Sequence, residues 1–300
     1  MNKSITIKNM DAYGISTAQR NSLRKDGFLV LPNAIPDNLL GQWQDLTYEL
    51  SQRAATGDLQ SFGTKNMHIV ENKGINMLTR CNDLLGIYPD AVLNLLSSPS
   101  LLAVAEVLCQ PGAVPLQCDV LFKHQCADSA ILWHQDALHN RSFPYLNIGV
   151  YLDDAEEDDG CLRYVPGTHT KAQDICSLTK NYGWEIPGSV SQPARAGDIL
   201  IQDMMILHGS PAKLKEGVRR TIYIEMRSYD AIVDHGYQSR EWAELRRRWM
   251  GLVKRRAKDD ADGIPEGLGT DADEIAAILN RPEPPVPAAY CHEHMNWPNG

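Results

Sequence analysis

At 300 residues, with 43% hydrophobic residues and a formal charge of −9, the chain can bury one large core. It is too acidic to draw nucleic acid or an anionic membrane over long range, because both need a basic face. Small molecules are the ligands that this composition admits.

The seven cysteines (Cys81, Cys109, Cys118, Cys126, Cys161, Cys176, Cys291) are odd in number and lack CxxC pairing. They suggest neither a disulfide framework nor a zinc ribbon, so reduced thiols are expected. The start "MNKSITIKNMDAYG" has no apolar leader, no apolar run is long enough for a membrane span, and the end "WPNG" is not a peroxisomal signal. The expectation is a cytoplasmic protein.

In chain order, Ser16 and Gln19 form a capping box for a helix that Gly27 terminates, and "FLVLP" (28–32) reads as a strand. Residues 35–56 have the spacing of an amphipathic helix, and 97–109 form another with Ser and Pro at its start. From about 115 to 228 the pattern changes to short β-type runs: "PLQCDVLFKH", "LNIGVYLDD", "CLRYVPGTH", "GDILIQDMMILHGS" and "RRTIYIEMR". Many short strands divided by turn residues predict a sandwich or barrel.

The acidic "DDAEEDDG" (153–160) reads as a solvated turn, since its spacing does not match a calcium loop. The stretch 170–192 is long enough to act as a lid. Residues 239–260 return to helix, with their basic residues on a solvated face. "GIPEGLGTD" reads as a loop, "ADEIAAILN" as a short helix, and "RPEPPVPAAY" as an extended arm.

Within "ILWHQDALHN" (131–140), His134 and Asp136 stand two apart, so on a strand both side chains face the same way. That supplies one nitrogen and one oxygen ligand from a single element. His208, before a Gly-Ser turn at the end of an apolar run, is the third candidate. Two histidines and a carboxylate leave open positions on one side of a ferrous ion; zinc would accept the same ligands plus water. Arg219, eleven positions beyond His208 at the start of the next strand, could grip a carboxylate bidentately, as the far carboxylate of 2-oxoglutarate requires. Its neighbour Arg220 must face the opposite side, so only one of the two can serve.

The ordered segments "DGFLVLPNAIPDNLL", "WHQD", "GCLRYVPGTH", "AGDILIQDMMILHGS" and "GVRRTIYIEMR" resemble the phytanoyl-CoA dioxygenase family of Fe(II)/2-oxoglutarate oxygenases over roughly residues 17–228. The resemblance implies a mainly β core, a double-stranded β-helix of the jelly-roll, cupin-like kind, with flanking N- and C-terminal α-helices. It implies one oxygenase domain: helical support over 1–112, the β-helix over 113–228, and a helical and extended C-terminal part over 229–300. His134, Asp136 and His208 would hold iron and act in catalysis. Arg219 would bind 2-oxoglutarate, with Gln117 and Lys123 beside it. Dioxygen is the second cosubstrate.

Related halogenases have a small residue where Asp136 stands, so oxygenation is expected, most simply hydroxylation of a small molecule in secondary metabolism. Tyr145, Arg163, Trp184 and Met204 are candidate substrate contacts. His169 reads as a structural turn residue, His124 and His139 as packing residues, Trp133 as core, and "CHEH" (291–294) as incidental. A zinc hydrolase and a non-catalytic metal-binding barrel remain open alternatives. A monomer or homodimer is expected, as is a C-terminal region that covers the site or reaches a second subunit.

Overall fold

A computed structural model of the chain describes residues 14–57, 66–72, 74–109, 112–139, 142–235, 240–262 and 289–290. Helix α1 (Thr17–Asp26) starts at Ser16 through the expected capping box with Gln19 and stops at Gly27, whose φ is +87°. A Cβ on Gly27 would lie 2.5 Å from His169 Nδ1, so both backbone conformation and space require glycine there. Strand β1 (Phe28–Leu31) and helix α2 (Asp37–Thr56) follow as their patterns predict.

The next segment holds a hairpin of β2 (Met67–Asn72) and β3 (Ile75–Cys81), then helices α3 (Leu84–Ile87), α4 (Pro89–Ser97) and α5 (Pro99–Ala103). α5 runs into a π-turn over Val104–Leu108, so the single helix expected over 97–109 is shorter and irregular at its end. Beyond it come β4 (Ala113–Cys126), β5 (Ile131–Gln135), β6 (Tyr145–Tyr151), β7 (Leu162–Val165), α6 (Ile175–Tyr182), β8 (Val190–Gln192), β9 (Ile199–Asp203), β10 (Leu207–Ser210), β11 (Lys213–Ser228), α7 (Tyr229–His235), α8 (Arg240–Asp262) and β12 (Ala289–Tyr290).

The strands form two antiparallel sheets of order β1-β9-β6-β11-β4-β3-β2 and β12-β5-β10-β7-β8. This is the jelly-roll arrangement expected of a double-stranded β-helix. Alternation assigns each face of the large sheet. Val120 and Phe122, Leu146, Ile148 and Val150, Ile199 and Ile201, and Ile222, Ile224 and Met226 pack with Trp43, Leu50, Leu93 and Trp249 of the helices in one core. The opposite face, carrying the residues between these, looks toward the small sheet.

Three sequence readings change. "GDILIQDMMILHGS" is two strands in different sheets: the Asp203 carboxylate accepts the Met205 N–H at 2.8 Å, and Ile206 N–H donates to Asp203 O, turning the chain from β9 into β10. The stretch 170–192 holds α6 and β8. It is anchored by Ile175, Ile186 and Trp184 on Trp133, Val165 and Leu207, so it is a packed outer layer and not a free lid. Cys176 is disulfide-bonded while Cys81, Cys109, Cys118, Cys126 and Cys161 are free, so the expectation of uniformly reduced thiols does not hold.

The strand Ala289–Tyr290 pairs with Gln135 and His134 of β5, bringing the end of the proline-rich arm beside the "WHQD" strand. The loop and helix expected over 263–280, and the "CHEH" segment, lie outside the described residues. Among the described residues no single helix is long and apolar enough to cross a membrane.

Candidate metal centre

His134 lies on β5, Asp136 just past its end, and His208 on β10, which pairs antiparallel with β5 so that His208 stands opposite His134. The register brings the two imidazole rings to 4.2 Å between centroids. One ligand atom from each of the three residues lies within 4.8 Å of the others. Asp136 Oδ1 is 3.2 Å from His134 Nε2, and Oδ2 is 3.7 Å from His208 Nε2.

Each Nδ1 meets the carbonyl two residues back, His134 that of Leu132 at 2.7 Å and His208 that of Ile206 at 2.9 Å. A hydrogen on Nδ1 donating to that carbonyl leaves the Nε2 lone pair facing the cluster, which is the tautomer metal binding needs. Two buried imidazoles and a carboxylate converging in this way fit a divalent first-row metal.

The three groups shift in different directions. Burial works against the Asp136 anion, but His208, His134 and the Asn147 amide outweigh it and hold the carboxyl well below the usual range. Burial and the adjacent His134 push His208 down to about 4, keeping its nitrogen unprotonated. For His134 burial is outweighed by the hydrogen bond and charge of Asp136 and by the Leu132 carbonyl, so its pKa rises.

Around the cluster stand residues that sequence reading did not single out. Gln202 Nε2 donates to Asp136 Oδ2 at 3.0 Å and Asn147 Nδ2 to the same oxygen at 3.3 Å, leaving Oδ1 as the less committed oxygen. Tyr164 O–H donates to Gln202 Oε1 at 2.7 Å, which fixes which end of that amide faces Asp136. Their signal in the sequence was faint: polar residues at the inward positions of β6 and β9, between Leu146 and Ile148 and after Ile201, on strands that are mostly apolar.

Arg219 and Arg220 part as alternation demands. Arg220 turns to the helices, pairing with Asp153 at 2.7 Å and donating to Gln44 O at 2.8 Å. Arg219 is buried inside the barrel, where Nη1 reaches Asp159 O at 3.3 Å and Nη2 reaches Ser210 Oγ at 3.4 Å. Lys123 stands opposite Arg219 in register, also buried, and donates to Ser210 O at 3.1 Å and to Ser210 Oγ. Burial first, then the Arg219 charge, lowers Lys123 to about 7.

Among the described residues no carboxylate pairs with either cation. Asp159 is spent on Lys213 and on the N–H groups of Leu214 and Lys215. The acidic turn 153–160 is exposed at Asp154, Glu156, Glu157 and Asp158, as a solvated turn should be, and departs from that reading at Asp159. Asp153, Asp154, Glu156, Asp158 and Asp159 all have cationic partners, and Asp159 is buried. Its reversal depends on Gly160, whose Cβ would lie 2.3 Å from Pro211 O.

A cavity of about 380 Å³ opens onto the cluster, lined by His134, Asp136 and His208 with Gln117, Asn147, Gln202 and Glu225 among others. A larger groove of about 660 Å³ beside α5 has no ionisable lining residue. Of the expected substrate contacts, none lines the cavity. Tyr145 and Met204 are packed with Leu116, Ala137, Ile232 and Ala243, and the Tyr145 hydroxyl donates to Glu225 at 2.9 Å. Arg163 pairs with Glu185 at 2.8 Å, and Trp184 packs on Trp133, both on the outer face of the small sheet. The chain's alternation explains this: β7 turns Leu162 inward to the cavity and Arg163 outward.

His169 bonds to Arg24 O at 3.1 Å, His124 to Leu78 O at 2.7 Å and His139 to Asp203 at 3.2 Å, which are structural roles. Trp133 is buried in the outer cluster, facing away from the metal site.

The sequence profile described as Phytanoyl-CoA dioxygenase (PhyH) matches residues 23–221. No curated protein matches the chain. Among solved structures, EctD from S. alaskensis with bound Fe aligns at TM-score 0.61 and 19% identity, covering 75% of this chain and 80% of its own. SnoK, a non-heme alpha ketoglutarate dependent carbocyclase from nogalamycin biosynthesis, aligns at 0.57 and 21%, covering 76% and 89%. HygX from Streptomyces hygroscopicus, with nickel and 2-oxoglutarate bound, aligns at 0.56 and 19%, covering 75% and 94%. At these identities the likeness is one of fold.

Proposed function

The chain belongs to the phytanoyl-CoA dioxygenase family, and on that premise we propose that it is a non-haem Fe(II)/2-oxoglutarate-dependent dioxygenase that hydroxylates a C–H bond of a small molecule. In this reading His134, Asp136 and His208 hold the iron, while Arg219 and Lys123 receive the distal carboxylate of 2-oxoglutarate. When iron and 2-oxoglutarate are bound, the chemistry they supply with dioxygen is oxidative decarboxylation: one oxygen atom enters the substrate C–H bond, the other enters succinate, and carbon dioxide leaves.

The observation that carries the reading is the pair of buried cations. Among the described residues, Arg219 and Lys123 meet only neutral oxygens, from Ser210 and the Asp159 carbonyl. A buried cation is costly unless an anion compensates it, and two side by side are more so. A dicarboxylate reaching in from the metal supplies that anion. A zinc hydrolase has no use for such a pair, and a silent barrel would carry its cost without return.

The remaining work of the chain is positioning. The two histidine tautomers are set by the Leu132 and Ile206 carbonyls, and Asp136 is held by Asn147 and Gln202. Leu121, Ile131 and Leu162 give the cavity an apolar wall that limits water beside the reacting groups. Gln117 also lines it, where it can meet substrate or cosubstrate. SnoK, of nogalamycin biosynthesis, lends support to a role in secondary metabolism.

The test is oxygen-dependent turnover. With ferrous iron, the protein should convert 2-oxoglutarate to succinate and carbon dioxide in equal amounts, and His208→Ala should lose at least 100-fold of this rate. Hydrolytic turnover with zinc, and no succinate with iron, would discard the proposal.

A further inference from the structure

Asn147 carries an acceptor that no described residue satisfies. Its Nδ2 donates to Asp136 Oδ2 at 3.3 Å. An ionised carboxylate only accepts, so the amide cannot be turned the other way without setting oxygen against oxygen. Its Oδ1 is thereby pinned, and that atom is buried with no hydrogen-bond partner. Folded proteins pair the great majority of such atoms, and an exception at a functional site calls for a ligand.

The neighbours cannot make good the deficit. In register, Asn147 lies between Gln202 of β9 and Glu225 of β11. Gln202 directs its Nε2 to Asp136, and its Oε1 is taken by Tyr164. Glu225 offers a carboxylate, itself an acceptor of the Tyr145 hydroxyl. All three residues line the cavity that contains the metal cluster. The donor that Asn147 lacks must then come from whatever fills the cavity. The 2-oxoglutarate dianion has no O–H or N–H to give.

Resting on the oxygenase reading above, we infer that Asn147 orients the substrate by accepting a hydrogen bond from an O–H or N–H next to the carbon that is oxidised. The substrate class is a hydroxylated or amino-bearing compound, such as a polyol or amino alcohol, and not a hydrocarbon chain. An alkyl group in this position would bury the Asn147 acceptor beside the Glu225 carboxylate with water excluded. The cavity is at the small end of the roughly 300–1,000 Å³ typical of ligand pockets, which suits a compact polar substrate beside the cosubstrate.

The experiment loads the intact protein anaerobically with ferrous iron and 2-oxoglutarate, checks the visible charge-transfer band, admits oxygen, and measures succinate release with size-matched probes. Glucosamine, myo-inositol and amino alcohols form one arm, and octanoate and octanol derivatives lacking a second polar group form the other. A donor-bearing probe should raise succinate release at least fivefold over the substrate-free rate, with the alkyl probes inactive. In Asn147→Leu the apparent KM for that probe should rise at least tenfold, a larger change than any in the KM for 2-oxoglutarate.

Stimulation by alkyl probes alone, failure of every donor-bearing probe, or an unmoved KM in the variant would overturn the inference. The first arm uses the unmodified protein, so it stands even if Asn147→Leu does not fold. Absence of the band in the unmodified protein would instead refute the oxygenase reading.

Discussion

Adjacent arginines with opposite fates show how much one position on a strand decides. Arg219 enters the barrel and meets, among the described residues, only neutral oxygens, while Arg220 is bound by Asp153 and the α2 carbonyl of Gln44. Removing a buried guanidinium from an anion costs about 2–4 kcal/mol. Arg219→Ala should therefore weaken 2-oxoglutarate binding roughly 30- to 1,000-fold, by titration, and leave iron binding intact. Arg220→Ala should lower the melting temperature and leave cosubstrate affinity within about twofold. Equal losses of affinity in both variants would contradict the assignment.

Lys123 makes a pH prediction. Its pKa, lowered to about 7 by burial and by Arg219, means that in the free protein it is charged below that pH and neutral above it. The groups facing it are Arg219, Asp159, Cys161 and Ser210, and only Arg219 among the first two lowers it. A bound carboxylate favours the charged form, so binding takes up a proton above pH 7. The affinity for 2-oxoglutarate should fall as pH rises from about 7 to 9, and Lys123→Met should flatten that slope, as calorimetric titrations would record. A pH-independent affinity in the parent protein would remove Lys123 from the cosubstrate site.

At the scale of elements, the α1–β1 junction is a rigid fixture. Gly27 combines a φ of +87° with the His169 ring 2.5 Å from where a Cβ would sit. Left-handed backbone costs a non-glycine residue about 1–2 kcal/mol, and displacing the ring adds to that. Gly27→Ala should lower the melting temperature by about 2–4 °C in a thermal scan, while the visible spectrum of the loaded site persists. A melting temperature unchanged within a degree would mean that the junction relaxes freely.

The elements also mark where reading the sequence succeeds. The capping box at Ser16 and the terminator Gly27 were legible because local hydrogen bonds decide them. The pair His134 and Asp136 and the inward arginine were legible because alternation decides them. The hidden sheet change at Asp203 was not, since the apolar run "MMIL" carries straight across the turn with no Gly or Pro to mark it. Arg163 and Trp184 lie outside the cavity because proximity in sequence to barrel strands does not say which face a strand turns inward.

For the whole molecule, the two sheets divide the labour. The large sheet spends one face on the helical core and offers the other to the cavity, and the small sheet brings His134 and His208 opposite each other. Family membership covers residues 23–221, and the overall architecture followed from ordered motifs that only this topology brings together. What the sequence did not reveal is how the remainder serves it. The strand Ala289–Tyr290 beside β5 depends on long-range pairing with no local signature, and nothing near Cys176 in the sequence marks it as disulfide-bonded.

The central claim is that one buried cluster binds ferrous iron and, with Arg219 and Lys123, 2-oxoglutarate. The most direct measurement is an anaerobic titration of metal-free protein with ferrous iron and then 2-oxoglutarate, followed by visible absorption, with His134→Ala alongside. A metal-to-ligand charge-transfer band that needs both additions and is absent in the variant is expected. Bound iron with no band on adding 2-oxoglutarate, or an equal band in His134→Ala, would contradict it.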